Sequence, residues 1–160
     1  MIHLFILIGT SLLIRHSSQQ ANLFTLPEAE RILGEKAQLT DSSSTTKDNV
    51  LIYQCSYTAH SPDQKTGKTG AVYFMLEQYK ENEAAHQAYA SIKSSNENHE
   101  GVKVLNDLGD EAYFHSDEEN FCFILVRKGK KMIRIKVNKI TSKTSLSEFH
   151  LIARNITNSL

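Results

Sequence analysis

The sequence predicts an α+β protein, an antiparallel sheet flanked by three helices in the order α-β-β-α-β-β-β-β-α. Three observations lead there. Several short segments alternate apolar and polar residues with period two and are separated by hairpin-length turns. Three other segments repeat apolar residues at helical spacing. The composition, 40% hydrophobic and 22% charged, is that of a chain that packs a core.

The first helix is expected at Leu26 to Leu33. Thr25 stands where a side chain caps the free N–H groups, and Glu28 three residues on completes a capping box. Pro27 falls in the first turn, where its missing N–H costs little. Gly34 is placed to end the helix in a left-handed turn. The run Asp41 to Asp48 is polar and without periodicity, which reads as a loop. A strand follows from Val50 to Ala59, with Leu51, Tyr53, Cys55 and Tyr57 on its core side.

His60 to Gly70 is rich in turn formers and reads as a hairpin loop. The next strand, Ala71 to Tyr79, is apolar on both faces near its middle, so both faces are expected to be covered there. Asn82 is read as the cap of a second helix, Glu83 to Ser94, whose stripe is Ala85, Ala88, Tyr89 and Ile92. Four strands then follow, beginning at Val102, Ala112, Phe121 and Lys131. Ser145 and Glu148 form another capping box. It opens a C-terminal helix with the stripe Leu146, Phe149, Ile152, Ala153 and Ile156.

Residues 1–21 read as a secretory signal peptide and residues 22–160 as a single α+β domain. Met1 to Ile14 is almost wholly apolar but shorter than the roughly 20 residues a membrane span needs. The expectation is a secreted, periplasmic or cell-envelope protein with no stable transmembrane helix in its mature form. In an oxidising compartment Cys55 and Cys122 are read as one disulfide, against the alternative of two free buried thiols. They lack C-x-x-C spacing, and no His stands near them at metal-ligand spacing, so neither zinc nor any other metal site is expected.

The helix ending Ile32-Leu33-Gly34, the strand with Cys55-Ser56-Tyr57, the turn Leu108-Gly109-Asp110-Glu111-Ala112-Tyr113 and the basic Arg127-Lys128-Gly129 hairpin carry a resemblance. Over about residues 25–156 the chain resembles small secreted bacterial domains of unknown function, in particular actinobacterial lipoprotein domains with the PsbP/Mog1-like α/β/α sandwich. The resemblance implies that sandwich and implies no reaction. The lipid-attachment cysteine of those domains has no counterpart here, so membrane tethering does not carry over.

Enzyme signatures are lacking. Gly67-Lys68-Thr69 looks like the end of a phosphate loop, but Pro62 stands where the first glycine is needed, and a strand rather than a helix follows. There is no nucleophile elbow, no paired-histidine zinc motif and no dinucleotide fingerprint, so no cofactor is implied. The acidic run Asp117 to Glu119 lacks the alternating oxygens and glycine of a calcium loop and reads as a solvated hairpin tip.

Charge is balanced overall, at 18 basic and 18 acidic residues, which argues against a general nucleic-acid binder. It is segregated locally. Residues 107–120 hold six acidic and no basic residues; residues 127–143 hold eight basic and no acidic ones. The basic run predicts a face made of Lys128, Lys130, Lys131, Arg134 and Lys136, set against the alternative of a salt-bridged, edge-protecting surface. The expected function is a non-enzymatic exported binding or accessory domain that meets an anionic partner, such as a membrane surface, a polysaccharide or an acidic protein, through that face. Two alternatives stand beside it: a hydrolase-type enzyme with a cleft near His60 or His115, and a structural envelope component.

Overall fold

A computed structural model describes residues 22–160; the expected signal peptide, residues 1–21, lies outside the described residues. Three helices and seven strands follow one another as α1 (Leu26–Leu33), β1 (Ala37–Lys47), β2 (Val50–Ala59), β3 (Ala71–Gln78), α2 (Asn82–Ser94), β4 (Val102–Val104), β5 (Glu111–Ser116), β6 (Phe121–Lys128), β7 (Lys131–Asn138) and α3 (Leu146–Ser159). The strands form one sheet in the order β1-β2-β3-β7-β6-β5-β4, with every neighbouring pair antiparallel.

The predicted order is corrected by one strand. Asp41 to Asp48 does not form a loop, because most of it belongs to β1, which pairs with β2 from Ala37↔Ala59 to Lys47↔Val50. Asp48 and Asn49 both have positive φ, 50° and 64°, as a two-residue hairpin turn of the mirror-image type requires. The strand escaped notice because it is an edge strand with almost no burial. From Gln38 to Lys47 every residue is exposed except the half-buried Ser43, so no apolar alternation is needed.

Helices lie on both faces of the sheet. The first face meets α1 and α3. Here Tyr53, Cys55 and Tyr57 of β2, Val72, Phe74 and Leu76 of β3, and Ile133, Ile135 and Val137 of β7 pack with Ile32, Leu33, Phe149 and Ile152 in the main core. Phe24, just ahead of α1, stacks on Phe74 with ring centroids 5.2 Å apart. The second face meets α2, whose Tyr89 closes over Tyr113, Leu125 and Met132 in a smaller cluster. Here burial pushes the Tyr89 hydroxyl up to about 12.

The helix ends obey local rules. Thr25 N–H donates to the Glu28 carboxylate at 3.0 Å, and the Ser145 hydroxyl accepts from Glu148 N–H at 3.2 Å. Gly34 takes φ 71°, and a Cβ there would lie 2.1 Å from the carbonyl oxygen of Lys143, so only glycine lets α1 end against the β7–α3 loop. At α2 the cap is Glu81, and Asn82 is already helical. Leu146 of the predicted α3 stripe is exposed, while Phe149, Ile152, Ala153 and Ile156 are buried as the stripe requires.

Asp63 ties the β2–β3 loop to the β7–α3 loop. It is buried, and its carboxylate accepts from Thr66 N–H and hydroxyl at 3.2 and 2.8 Å and from Ser142 N–H and hydroxyl at 3.1 and 2.9 Å. The bond from the Thr66 hydroxyl, with those from Ser142, holds the carboxyl well below the usual range.

Phe149 is fully buried, and Phe149→Ala should cost about 3–5 kcal/mol in chemical denaturation, as loss of a core aromatic does elsewhere. Asp63→Asn should lower the melting temperature at neutral pH. A depressed carboxyl stabilises the fold above its unfolded pKa of about 4 and loses that contribution as pH falls. Thermal melts of wild type and variant should therefore converge on acidification.

Candidate functional site

Strand alternation carries side chains to both faces of the sheet, and this divides the predicted basic face. Lys128 and Lys131 point to the α3 side. Lys128 Nζ donates to the Thr157 carbonyl at 2.9 Å and Lys131 Nζ to the Leu160 carbonyl at 3.3 Å, so both serve the C-terminal end of α3. Lys130 sits at the β6–β7 turn, 3.8 Å from Glu81. Arg134 and Lys136 alone of the five meet on the second face of the sheet.

Much of the remaining charge segregation is resolved by pairing. Arg127 bonds Glu111 at 2.5 Å and Asp110 at 3.0 Å, and His86 Nδ1 lies 2.9 Å from the same Glu111 carboxylate. Asp117 accepts from the N–H groups of Glu119, Asn120 and Phe121; these bonds, that from Phe121 foremost, hold its carboxyl well below the usual range. It is the internal cap of a turn. Lys68 Nζ donates to the Glu119 carbonyl at 3.2 Å and to Asn120 Oδ1 at 3.3 Å, so the Gly67-Lys68-Thr69 segment docks on that turn.

The expected disulfide is corrected. Cys55 and Cys122 are both buried and unbonded. Cys55 is on β2 and Cys122 on β6, with β3 and β7 between them. Three interstrand steps and a two-residue offset along the strands put them more than about 14 Å apart, against a limit near 7 Å for bridged cysteines. Burial pushes the Cys122 thiol up to about 12 and raises that of Cys55, which leaves two inert, small apolar side chains.

The two histidines named for a cleft are also apart. His60 is exposed just past β2, and His115 lies on β5, four strands away across the sheet. His115 packs edge-on against Phe121 at 4.9 Å, with His99 at 5.8 Å. Among the described residues no three His, Cys, Asp or Glu side chains gather as metal ligands, and no helix is long and apolar enough to cross a membrane.

The feature that stands out is the uncovered part of the second face. The helix α2 is 13 residues long and covers the β5–β6–β7 side; among the described residues nothing covers β2, β3 and the neighbouring part of β7. There Gln54, Ser56, Tyr73, Met75, Phe123, Arg134 and Lys136, with Asp41 of β1, line a groove of about 420 Å³, within the size range of small-molecule clefts. Tyr73 is 44% exposed. The second apolar face of β3, expected to be covered, is this groove's floor; the missing cover is the correction. The sequence signal was present in Tyr73 and Met75, but which face a helix would leave bare depends on where α2 lands.

The groove's charges are unequal. Arg134 donates to Glu77 Oε2 from Nε at 3.0 Å and Nη2 at 2.6 Å, and Tyr79 donates to the other Glu77 oxygen at 3.3 Å, so its charge is matched. Lys136 is exposed and its Nζ lies over the Phe121 ring, 5.7 Å from the centroid. Among the described residues no carboxylate lies within ion-pairing reach of it.

Compared with protein-family models, curated proteins and solved structures, the chain matches none of them.

The burial of both thiols gives a direct prediction. Cys55 and Cys122 should resist a thiol-reactive dye in the native protein and react together on unfolding without any reductant. A reductant should leave the melting temperature unchanged. Labelling that needs prior reduction would contradict the free-thiol arrangement.

Proposed function

We propose that this is an exported, non-enzymatic binding domain whose ligand is a small molecule with an apolar body and one anionic group. One observation carries the reading: the bare stretch of the sheet is apolar, with exposed Tyr73 beside Met75 and Phe123, and is bordered by the unpaired ammonium of Lys136. Apolar surface left open beside an unpaired cation, with the Asp41 carboxylate three interstrand steps away at the β1 end, favours an amphipathic anion seated on the Lys136 side over a neutral or cationic ligand. The ring of Tyr73 supplies stacking area, and Gln54 and Ser56 supply hydrogen-bonding groups on the β2 side.

This narrows the anionic partner expected from the basic run. Lys128 and Lys131 are occupied with the end of α3, and Lys130 stands at the turn, so Arg134 and Lys136 remain as the cations at a concave apolar surface. Helices on both faces of an antiparallel sheet support the likeness to PsbP/Mog1-like domains, and the apolar run Met1 to Ile14 supports export.

The test uses 8-anilinonaphthalene-1-sulfonate, an aryl anion of fitting size, followed by fluorescence. The native protein should bind it in one-to-one ratio. Lys136→Glu should weaken binding by about tenfold, the scale of one lost charge contact, and Tyr73→Ala should weaken it comparably. Lys130→Glu, at the hairpin turn, should leave it unchanged. Equal loss from Lys130→Glu and Lys136→Glu would mean a diffuse basic surface and overturn the groove as the site. Binding that no groove substitution alters would overturn it as well.

A further inference from the structure

We infer that β1 is a self-recognition edge, through which two copies of this chain pair antiparallel about a two-fold axis at Ser44. The edge is long and open. β1 runs for 11 residues at the end of the sheet and, among the described residues, is paired on one side only, to β2. Alternate N–H and C=O groups along it therefore face away from the protein with no strand to meet them. The opposite edge, β4, has three residues.

Protected edges carry a lysine in mid-strand, a proline, or a bulge. From Ser42 to Thr46 β1 has none of these: five hydroxyl residues stand in a row, and its one lysine, Lys47, comes last. The bulge falls between Leu39 and Asp41, so it bounds the straight run and does not interrupt it.

What selects a second copy is the self-complementarity of this run. Paired antiparallel about Ser44, Ser43 stands opposite Thr45 of the other copy, Ser42 opposite Thr46, and Asp41 opposite Lys47. The pair Asp41–Lys47 forms twice, once on each side of the axis. Moving the centre to Ser43 or Thr45 puts neither charge opposite its counterpart. Asp41 and Lys47 share one face of the strand, since Asp41 pairs with Ser56 and Lys47 with Val50 in an unbroken register between Asp41 and Lys47. Among the described residues neither belongs to an ion pair. Opposite charges and facing hydroxyls are the cross-strand pairs that stabilise a sheet.

The axis is perpendicular to the sheet, so each face of one copy continues into the same face of the other. Lys47 of the second copy then stands at the rim of the groove, beside Asp41. The dimer stands independently of what the groove binds. A junction of seven residue pairs buries less than the roughly 1,600 Å² of a standard interface, so the association is reversible and concentration-dependent.

Sedimentation velocity on the whole chain tests this from micromolar to millimolar concentration. The wild type should pass from monomer to dimer. Asp41→Lys and Lys47→Asp should each weaken the dimer by about tenfold or more, and the double variant with both changes should restore it, because the charges then face each other again. Cross-linking gives a second readout that survives if a charge variant folds poorly. Ser44→Cys meets its own copy at about 4.5–5.5 Å between Cα atoms, within disulfide reach, and should give a covalent dimer on mild oxidation. Thr46→Cys faces Ser42 and should not. A chain that stays monomeric throughout, a double variant no tighter than the single ones, or equal cross-linking at both positions would overturn the inference.

Discussion

The ladder between β3 and β7 is the contact on which the rest of the molecule depends. Each half of the chain folds back on itself locally: β1, β2 and β3 form one meander, and β4 to β7 another. Neither half closes a core alone. They become one sheet where Ala71↔Asn138 through Gln78↔Lys131 pair, across more than fifty residues of intervening chain. That closure carries an entropic cost that local hairpins do not. It is offset by burial along the ladder, at Val72, Phe74, Leu76, Ile133, Ile135 and Val137, and by the two bonds from Arg134 to Glu77.

The seam also creates the groove. Once β3 lies beside β7, the sheet is too wide for the 13 residues of α2 to cover, and the helix sits toward β6 and β7. The strip nearer β2 and β3 is left with Tyr73 and Met75 uncovered, and Arg134 and Lys136 arrive beside them from the other half of the chain. The Glu77 that anchors Arg134 at the seam is the same group that neutralises it, which leaves Lys136 as the groove's unpaired cation, with Asp41 three strands away at the β1 end. Ligand recognition and the joining of the two halves thus draw on neighbouring positions of two strands.

The basic run shows why a linear charge pattern is a poor map of a surface. Eight cations within residues 127–143 read as a patch. Lys130, Lys139 and Lys143 stand in turns or loops, and the five on β6 and β7 are divided between the two faces; on the first face Lys128 and Lys131 donate to the carbonyls of Thr157 and Leu160 at the C-terminal end of α3, where a helix end attracts positive charge. Arg127 is drawn to Asp110 and Glu111 across the β5–β6 pair. The acidic run fares the same way, with Asp117 spent on turn N–H groups.

Much of the fold was legible in the residues. The three helices, the bounds of α1, its glycine end and the six strands with some apolar rhythm follow from local rules, because caps, turns and burial periodicity act over a few residues. What escaped was β1, whose residues alternate nothing because neither face of an outer strand is buried; its one local sign was Asp48-Asn49, a pair suited to the positive φ of a tight hairpin. The two cysteines, the histidines and the five cations were all visible as residue types. Whether any of them met was decided by strand order, which sets lateral distance and is written in no short segment. β3 and β7 between Cys55 and Cys122 rule out their bridge, and the position of α2 decides which apolar residues stay bare. Local chemistry in the sequence determined most of the elements; the long-range pairing of β3 with β7 and the seat of α2 on the sheet decided which side chains became neighbours.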